Sequence, residues 1–314
     1  MSGVRRQPKR LFIIAIFVCI FLIMLGLYRS MMPRLGAEQS CDTSSDGESI
    51  AINGHIMWIK VLNRESKATP IYVLGGGPGF STNYLEKSLR FLAKDHPVIF
   101  FDGRCSGRSE YTADLSDCTF QNYAKDLEVL RSRLTSDRKI IILSHSSGAI
   151  TAMAYADAYW NQLQGMIFIS PVGYKTKVKY SDEYLHTGFP PFNQKYANVW
   201  FETNLDQLYG KYFANKEVEG VLKDIRVNYA LMMKNEGKDH YNYKHSLRQI
   251  QVPTLIISGG KRETPITGSK ESKKLAELIA GSTYYRFNHS GHFSFAEEPQ
   301  HFKRVVNQFM AQFF

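Results

Sequence analysis

A serine, a histidine and a carboxylate on separate loops can perform nucleophilic acyl chemistry, and Ser146, His292 and Glu263 are the residues of this chain placed for it. Ser146 lies in Ser144-His145-Ser146-Ser147-Gly148, directly after the β-branched run Ile140–Leu143 and before a helix-forming run through Ala149, Ala152, Met153 and Ala156. A buried strand that turns sharply into a helix, with serine at the apex and glycine two residues on, is the nucleophile-elbow arrangement G-x-S-x-G, here with Ser144 as the first small residue. Small neighbours are needed because the apex backbone is strained and the helix passes close behind it. The new helix also aims unpaired N–H groups at any anion that forms near Ser146 Oγ. A serine-rich turn can equally be a plain helix cap, so the assignment depends on the other loops.

Three further loops follow strands. Leu74-Gly75-Gly76-Gly77-Pro78-Gly79-Phe80 can present backbone N–H groups to a ligand, and it lacks the G-K-[ST] or G-x-G-x-x-G of a phosphate loop. Gly259-Gly260-Lys261-Arg262-Glu263 places a carboxylate after a late strand, where it can orient a histidine. Asn288-His289-Ser290-Gly291-His292-Phe293 exposes a histidine among small neighbours after the last strand. The chain order Ser, acid, His is one of three known orders for such a triad. His145, His289 and His301 are set aside: His289 lacks the S-G-H context, and His145 faces away from a turn with Ser146 at its apex.

The elements that must carry these loops alternate. An Asn53-Gly54 turn joins strands at Ile50–Ile52 and His55–Leu62. Strands at Ile71–Leu74, Val98–Phe101, Ile140–Leu143 and Met166–Ile169 are then interleaved with helices around Tyr84–Lys94, Tyr123–Leu134 and Ala149–Ala156. The alternation stops at Ser170-Pro171, gives way to an aromatic-rich stretch with helical patches at 172–250, and resumes with a strand at Pro253–Ser258. A helix around Lys270–Ile279, a strand at Thr283–Phe287 and a helix at Pro299–Phe314 close the chain. This predicts an α/β fold, a mostly parallel sheet flanked by helices, with a core at 50–171 and 251–314 and a helical cap at 172–250 over the strand C-termini, where ligands sit in open sheets.

Six of the ten excess positive charges fall in residues 1–34, which hold no acidic residue, and the remaining +4 shows no basic run interleaved with aromatics. Nucleic-acid binding is therefore unsupported. The basic tail 1–10 precedes 17 uncharged residues, Leu11–Leu27, with Tyr28 at their end. That length suits a transmembrane anchor at 11–28 better than the shorter core of a signal peptide, and no small-x-small cleavage site follows. Four positive charges before the span against two after it predict a cytoplasmic N-terminus and an extracytoplasmic catalytic domain, joined by a polar linker at 33–49. Cys19 lies in the span. Cys41, Cys105 and Cys118 lie in the exported part, Cys105 and Cys118 being the nearest pair, with one cysteine left over. No Cys/His set has metal-site spacing, and no metal or cofactor is expected.

Taken together, these loops resemble those of α/β-hydrolases of the proline-iminopeptidase-like branch, whose motifs are H-G-G-P-G, D-Q-R-G-x-G-x-S, the elbow, G-x-x-D and S/A-G-H. Gly75–Gly79 matches the first with Gly75 in place of His. Asp102–Ser109 matches the second with Gly103 for Gln and Cys105 for Gly, Gly260–Glu263 matches the acid turn with Glu for Asp, and Ser290-Gly291-His292 matches unchanged. The resemblance spans roughly residues 50–314 and implies an α/β-hydrolase fold. It also implies a serine hydrolase in which His292 takes the proton of Ser146, Glu263 holds the imidazole, and the N–H groups of Gly77 and Ser147 form an oxyanion hole worth roughly 10²–10³ in rate per donor. Ser146 excludes the chemistry of an aspartate nucleophile. Tyr196–Glu202 resembles the family segment whose glutamate binds the free α-amine of a peptide, which would make Glu202 a substrate-binding residue of an aminopeptidase acting on small or short-peptide substrates. An aromatic cap equally suits the acyl chains of an esterase or lipase, and a non-catalytic binding module is the third reading.

Overall fold

The computed structural model describes residues 8–31, 38–43, 46–112, 114–175, 194–215, 220–234, 240–262, 264 and 266–314. Eight strands form a single sheet: β1 (Glu48–Ile52), β2 (His55–Leu62), β3 (Ile71–Leu74), β4 (Val98–Asp102), β5 (Ile140–His145), β6 (Leu163–Ile169), β7 (Thr254–Gly259) and β8 (Thr283–Phe287). Their spatial order is β1-β2-β4-β3-β5-β6-β7-β8. The β1–β2 and β2–β4 pairs are antiparallel and the rest are parallel. Strands β3, β4, β5 and β7 are buried at every position, the pattern expected of apolar strands covered by helices on both faces. The edge strands β1 and β8 are exposed or half-buried until their last residues, Ile52 and Phe287, which are buried.

One side is covered by α3 (Phe120–Leu134), α4 (Gly148–Tyr159) and α8 (Ser269–Leu278), whose buried residues join Tyr72, Ile142 and Phe168 in one core cluster. The other is covered by α2 (Asn83–Leu89) and by α9 (Pro299–Phe313), packed with Phe100, Leu143 and Ile257. Thr119 starts α3 by accepting the Asn122 N–H at 3.2 Å. The helix expected to run on to Lys94 stops at Leu89 and continues as a 3₁₀ turn, Arg90–Lys94, before Pro97 and β4. Between β6 and β7 lie α5 (Gln194–Tyr209), α6 (Tyr229–Lys234) and α7 (Lys244–Gln249), which are helical as expected. The segment Gln39–Asp42, expected to be part of a linker, runs along the loop after β4: Tyr111 N–H donates to Gln39 O at 2.8 Å, and Asp42 N–H to Arg108 O at 2.8 Å.

Ahead of the domain, α1 (Pro8–Met31) is helical, and its described side chains, 14–26, are mostly exposed. Among the described residues no helix is long and apolar enough to cross a membrane, so the span expected at 11–28 has no support there. All four cysteines carry free thiols, Cys105 and Cys118 fully buried.

The Asp102–Ser109 loop, polar and turn-rich in sequence, is a buried knot. Asp102 accepts hydrogen bonds from the Thr82 N–H (2.8 Å) and hydroxyl (2.7 Å) and from Arg108 Nε (2.8 Å). The Arg108 guanidinium lies 3.2 Å from the centre of the Trp58 ring and also donates to Glu86 at 3.0 Å. Arg104 is held by two 2.6 Å bonds to Asp126, itself fully buried. A buried ion pair adds little net stability, but breaking one leaves a charge in the core. Asp102→Asn, which keeps the shape and removes the charge opposite Arg108, is expected to lower the unfolding free energy by about 3–5 kcal/mol, measured by urea denaturation against wild type.

Candidate active site

Ser146 sits at the apex between β5 and α4 with a left-handed backbone, φ +54°. Its N–H donates to Ile169 O (3.0 Å) and its carbonyl accepts Val172 N–H (3.2 Å), so the end of β6 and the segment just after it clamp the apex on both sides. Two glycines make the turn possible. A methyl group on Gly148 would lie 2.5 Å from the Gly75 carbonyl oxygen, and one on Gly76 would lie 2.7 Å from Ser146 Cβ. The glycine-rich loop thus rests directly on the elbow, as the close passage of helix and loop behind a strained apex requires. The N–H groups of Gly77 and Ser147 have no acceptor among the described residues. Gly77 and Ser147 line the same space as Ser146, with Ser147 at the positive end of α4.

His292, buried on the loop after β8, reaches that space from the far side of the sheet. Its Nδ1 lies 3.1 Å from Thr267 Oγ1, which lies 2.5 Å from Thr264 Oγ1. With Nδ1–H donating to Thr267, Nε2 is the unprotonated nitrogen, the tautomer a general base requires. The Thr264–Thr267 turn begins one residue after the expected acid, Glu263, which itself lies outside the described residues. Cap and histidine loop are tied together: His292 N–H donates to Tyr212 O at 2.9 Å, Phe213 stacks on Phe293 at 4.3 Å, and Glu297 accepts Gly291 N–H at 2.5 Å and the N–H groups of Ala214 and Asn215.

Ser146, Ser147, Gly77 and His292 therefore face one narrow cavity of about 50 Å³, whose other walls are largely apolar, among them Phe80, Tyr209, Leu222, Met232 and Ile266. Glu202, on α5, is not among its lining residues. Its carboxylate accepts Val227 N–H at 2.8 Å and lies 3.6 Å from an Arg226 nitrogen, and burial raises its pKa. His289 is exposed, and His301 is engaged by Tyr285 and Glu298. His145 is buried with its ring 4.6 Å from that of His292, a proximity that strand periodicity does not reveal. Thr267, Tyr84 and Glu297, which also shape the site, carry no local sequence signal, because each acts through a partner remote in the chain.

The model of the α/β-hydrolase fold family matches residues 69–299, nearly three-quarters of the chain. The chain belongs to the α/β-hydrolase fold family. Similar proteins include the proline iminopeptidase of Saccharolobus solfataricus, 28% identical over 285 residues covering 83% of this chain and 91% of that protein. The proline iminopeptidase of Lactobacillus crispatus is 24% identical, over 82% of this chain and 96% of that protein. Among solved structures, the enol-lactonase of Burkholderia xenovorans LB400 superposes with a TM-score of 0.69 at 18% identity, covering 84% of this chain and all of that one. A thermophilic esterase from Thermogutta terrifontis superposes with a TM-score of 0.67 at 16% identity, covering 85% and 99%. These two share the fold. Family and relatives make this chain a hydrolase.

Burial holds His145 down at about 4, and burial, then the neighbouring His145, holds His292 well below the ordinary imidazole value. Both are neutral when folded and become protonated near pH 6.5 when unfolded. As the pH falls below 6.5 the unfolded chain takes up protons that the folded one refuses, so stability falls with it, by about 1.4 kcal/mol per pH unit for each imidazole. Thermal melts from pH 7 to pH 4.5 are expected to show this loss, and His145→Asn to reduce its slope by up to half.

Proposed function

We propose that this hydrolase forms an acyl-enzyme on an amide or ester, with Ser146 as nucleophile, His292 as general base and Glu263 as the carboxylate that orients and stabilises the imidazolium. The reading rests on one observation: a serine strained to φ +54° shares a cavity with a buried histidine and with the Gly77 and Ser147 loop. His292 Nε2 takes the Ser146 proton as Oγ attacks the carbonyl carbon, and the oxyanion meets the N–H groups of Gly77 and Ser147. The imidazolium then protonates the leaving amine or alcohol, and water repeats the sequence to release the acid.

The substrate proposed is a peptide with a small N-terminal residue, as for a proline iminopeptidase, on the strength of relatives that match nearly their whole length. A small acyl or prolyl group suits the narrow apolar cavity. A second reading, an esterase of small acyl esters, is favoured by the state of Glu202, whose carboxylate is engaged by Val227 and Arg226 and not presented to the cavity. Pro- and Ala-arylamides, blocked Pro-arylamide and short p-nitrophenyl esters separate the two. An aminopeptidase cleaves only the free-amine arylamides and loses roughly tenfold or more in kcat/KM with Glu202→Gln, which removes a charge paired with the ammonium. An esterase cleaves the esters and ignores Glu202. Ser146→Ala is expected to abolish every activity, and turnover that survives it would overturn the nucleophile assignment.

Membrane tethering through residues 11–28, with the catalytic domain extracytoplasmic, belongs to the same proposal. It is supported by the uncharged run and by the charge bias around it. Full-length protein is expected to stay in the membrane pellet after alkaline carbonate washing, while a chain starting at residue 38 is released. Release of the full-length protein would remove the anchor.

A further inference from the structure

Three buried hydrogen bonds join the glycine-rich loop after β3 to the histidine loop after β8. Gly76 N–H donates to Tyr84 Oη at 2.6 Å, Tyr84 Oη lies 2.8 Å from His145 Nδ1, and His145 Nε2 lies 3.2 Å from the carbonyl oxygen of His292. Tyr84, His145 and His292 are each no more than 5% exposed. The two ends of the chain of bonds fix its direction. The Gly76 amide can only donate and the His292 carbonyl can only accept, so Tyr84 O–H donates to an unprotonated Nδ1 and His145 Nε2–H donates to His292. One protonation pattern satisfies every member, and it is the neutral imidazole that burial favours.

Packing holds the same geometry. The His145 ring lies edge-on to Tyr84 at 5.5 Å and to Phe295 at 5.2 Å, and is tilted against Phe293 at 5.5 Å. Gly75 has no side chain with which to brace its own loop, and the space one would enter is bounded by Thr82 and by the Tyr84 ring, at 3.2 and 3.8 Å from a Cβ built there. Tyr84 thus occupies the place from which the loop can be held.

We propose that Tyr84 and His145 are positioning residues, a hydrogen-bonded strut that sets the oxyanion loop and the His292 loop at a fixed separation across Ser146. The proposal rests on the serine-hydrolase reading and adds to it two residues that border the cavity and act through the two loops they join. Loss of the strut lets the Gly77 N–H drift from the developing oxyanion while the apolar cavity that admits the substrate is retained, so the rate of the chemical step falls and binding does not.

The test is the rate of covalent labelling of the full-length protein, in detergent, by a fluorophosphonate probe, resolved into its saturating rate and half-saturation concentration. Labelling is scaled to the folded fraction measured by near-ultraviolet circular dichroism. Tyr84→Phe and His145→Leu are each expected to lower the saturating rate by about tenfold to a hundredfold, with half-saturation changed less than about threefold. Their double variant is expected to lose little more than either alone, because both cut the same strut. His145→Asn, which keeps an acceptor for Tyr84, is expected to recover part of the rate. Unchanged labelling in both single variants, or losses that multiply in the double, would overturn the strut and leave the hydrolase reading intact. Labelling that survives Ser146→Ala would overturn that reading and the strut with it.

Discussion

The site depends on a serine held in the left-handed region. For a residue with a Cβ this conformation costs about 1–3 kcal/mol, and it persists because the surroundings leave Ser146 no other. The N–H of Ser146 is bonded to the last residue of β6 and its carbonyl to Val172 just beyond, and β5 below it is buried along its whole length. Relaxing the apex to an ordinary φ would break both bonds, and the helix behind it has no slack, since even a Cβ on Gly148 would meet the Gly75 carbonyl oxygen at 2.5 Å. The strain is therefore held by the sheet, and its consequence is local: Ser146 leaves the strand direction and faces the cavity beside Gly77 and His292.

A second constraint keeps the glycine-rich loop from following its own preferences. That loop is short of side chains, and its shape is imposed from outside. Asp102 grips Thr82 at the start of α2, and Arg108, packed on Trp58, completes the grip. The segment after the loop bonds to Asn228 and Arg226 from the cap, and Asn228 in turn donates to Cys105 O at 2.8 Å. Polar groups buried this deeply bring little net stability, but a fully bonded network admits few alternative arrangements. The role of the Asp102–Ser109 loop is thus conformational, although none of its residues borders the cavity containing Ser146.

What the sequence made legible follows from this physics. Strands β3, β4, β5 and β7 could be read directly because burial on both faces demands continuous apolar residues, and the order of loops could be read because each follows a strand. Ser146, His292, Gly77 and Ser147 announce themselves through local turn chemistry, and the structure gathers them at one cavity. His145, expected to face away from the turn, instead lines the cavity with Ser146, because its ring is held by Tyr84 and His292, 61 and 147 residues away in the chain and invisible to local pattern. The loop at 102–109 has the composition of a solvated turn, and only the tertiary partners Thr82, Glu86 and Asp126 make it a core element. Glu202 shows the reverse case: its local sequence suggests an amine ligand, while its hydrogen bond goes to the Val227 amide.

The electrostatics of the cavity explain why the proposed mechanism still requires a carboxylate. Among the described lining residues none carries a formal charge at neutral pH, and two neutral imidazoles lie tilted against each other under aromatic cover. Such surroundings suit a general base that must be unprotonated before reaction, yet they oppose the imidazolium that the proposed proton transfer from Ser146 would form on His292. The Thr267 hydroxyl on Nδ1, able to donate or accept, offers only a dipole to that cation. A full negative charge on the same side of the ring compensates a buried cation far better than a dipole can. Glu263, preceding the Thr264–Thr267 turn in sequence, is the residue whose chemistry answers that need.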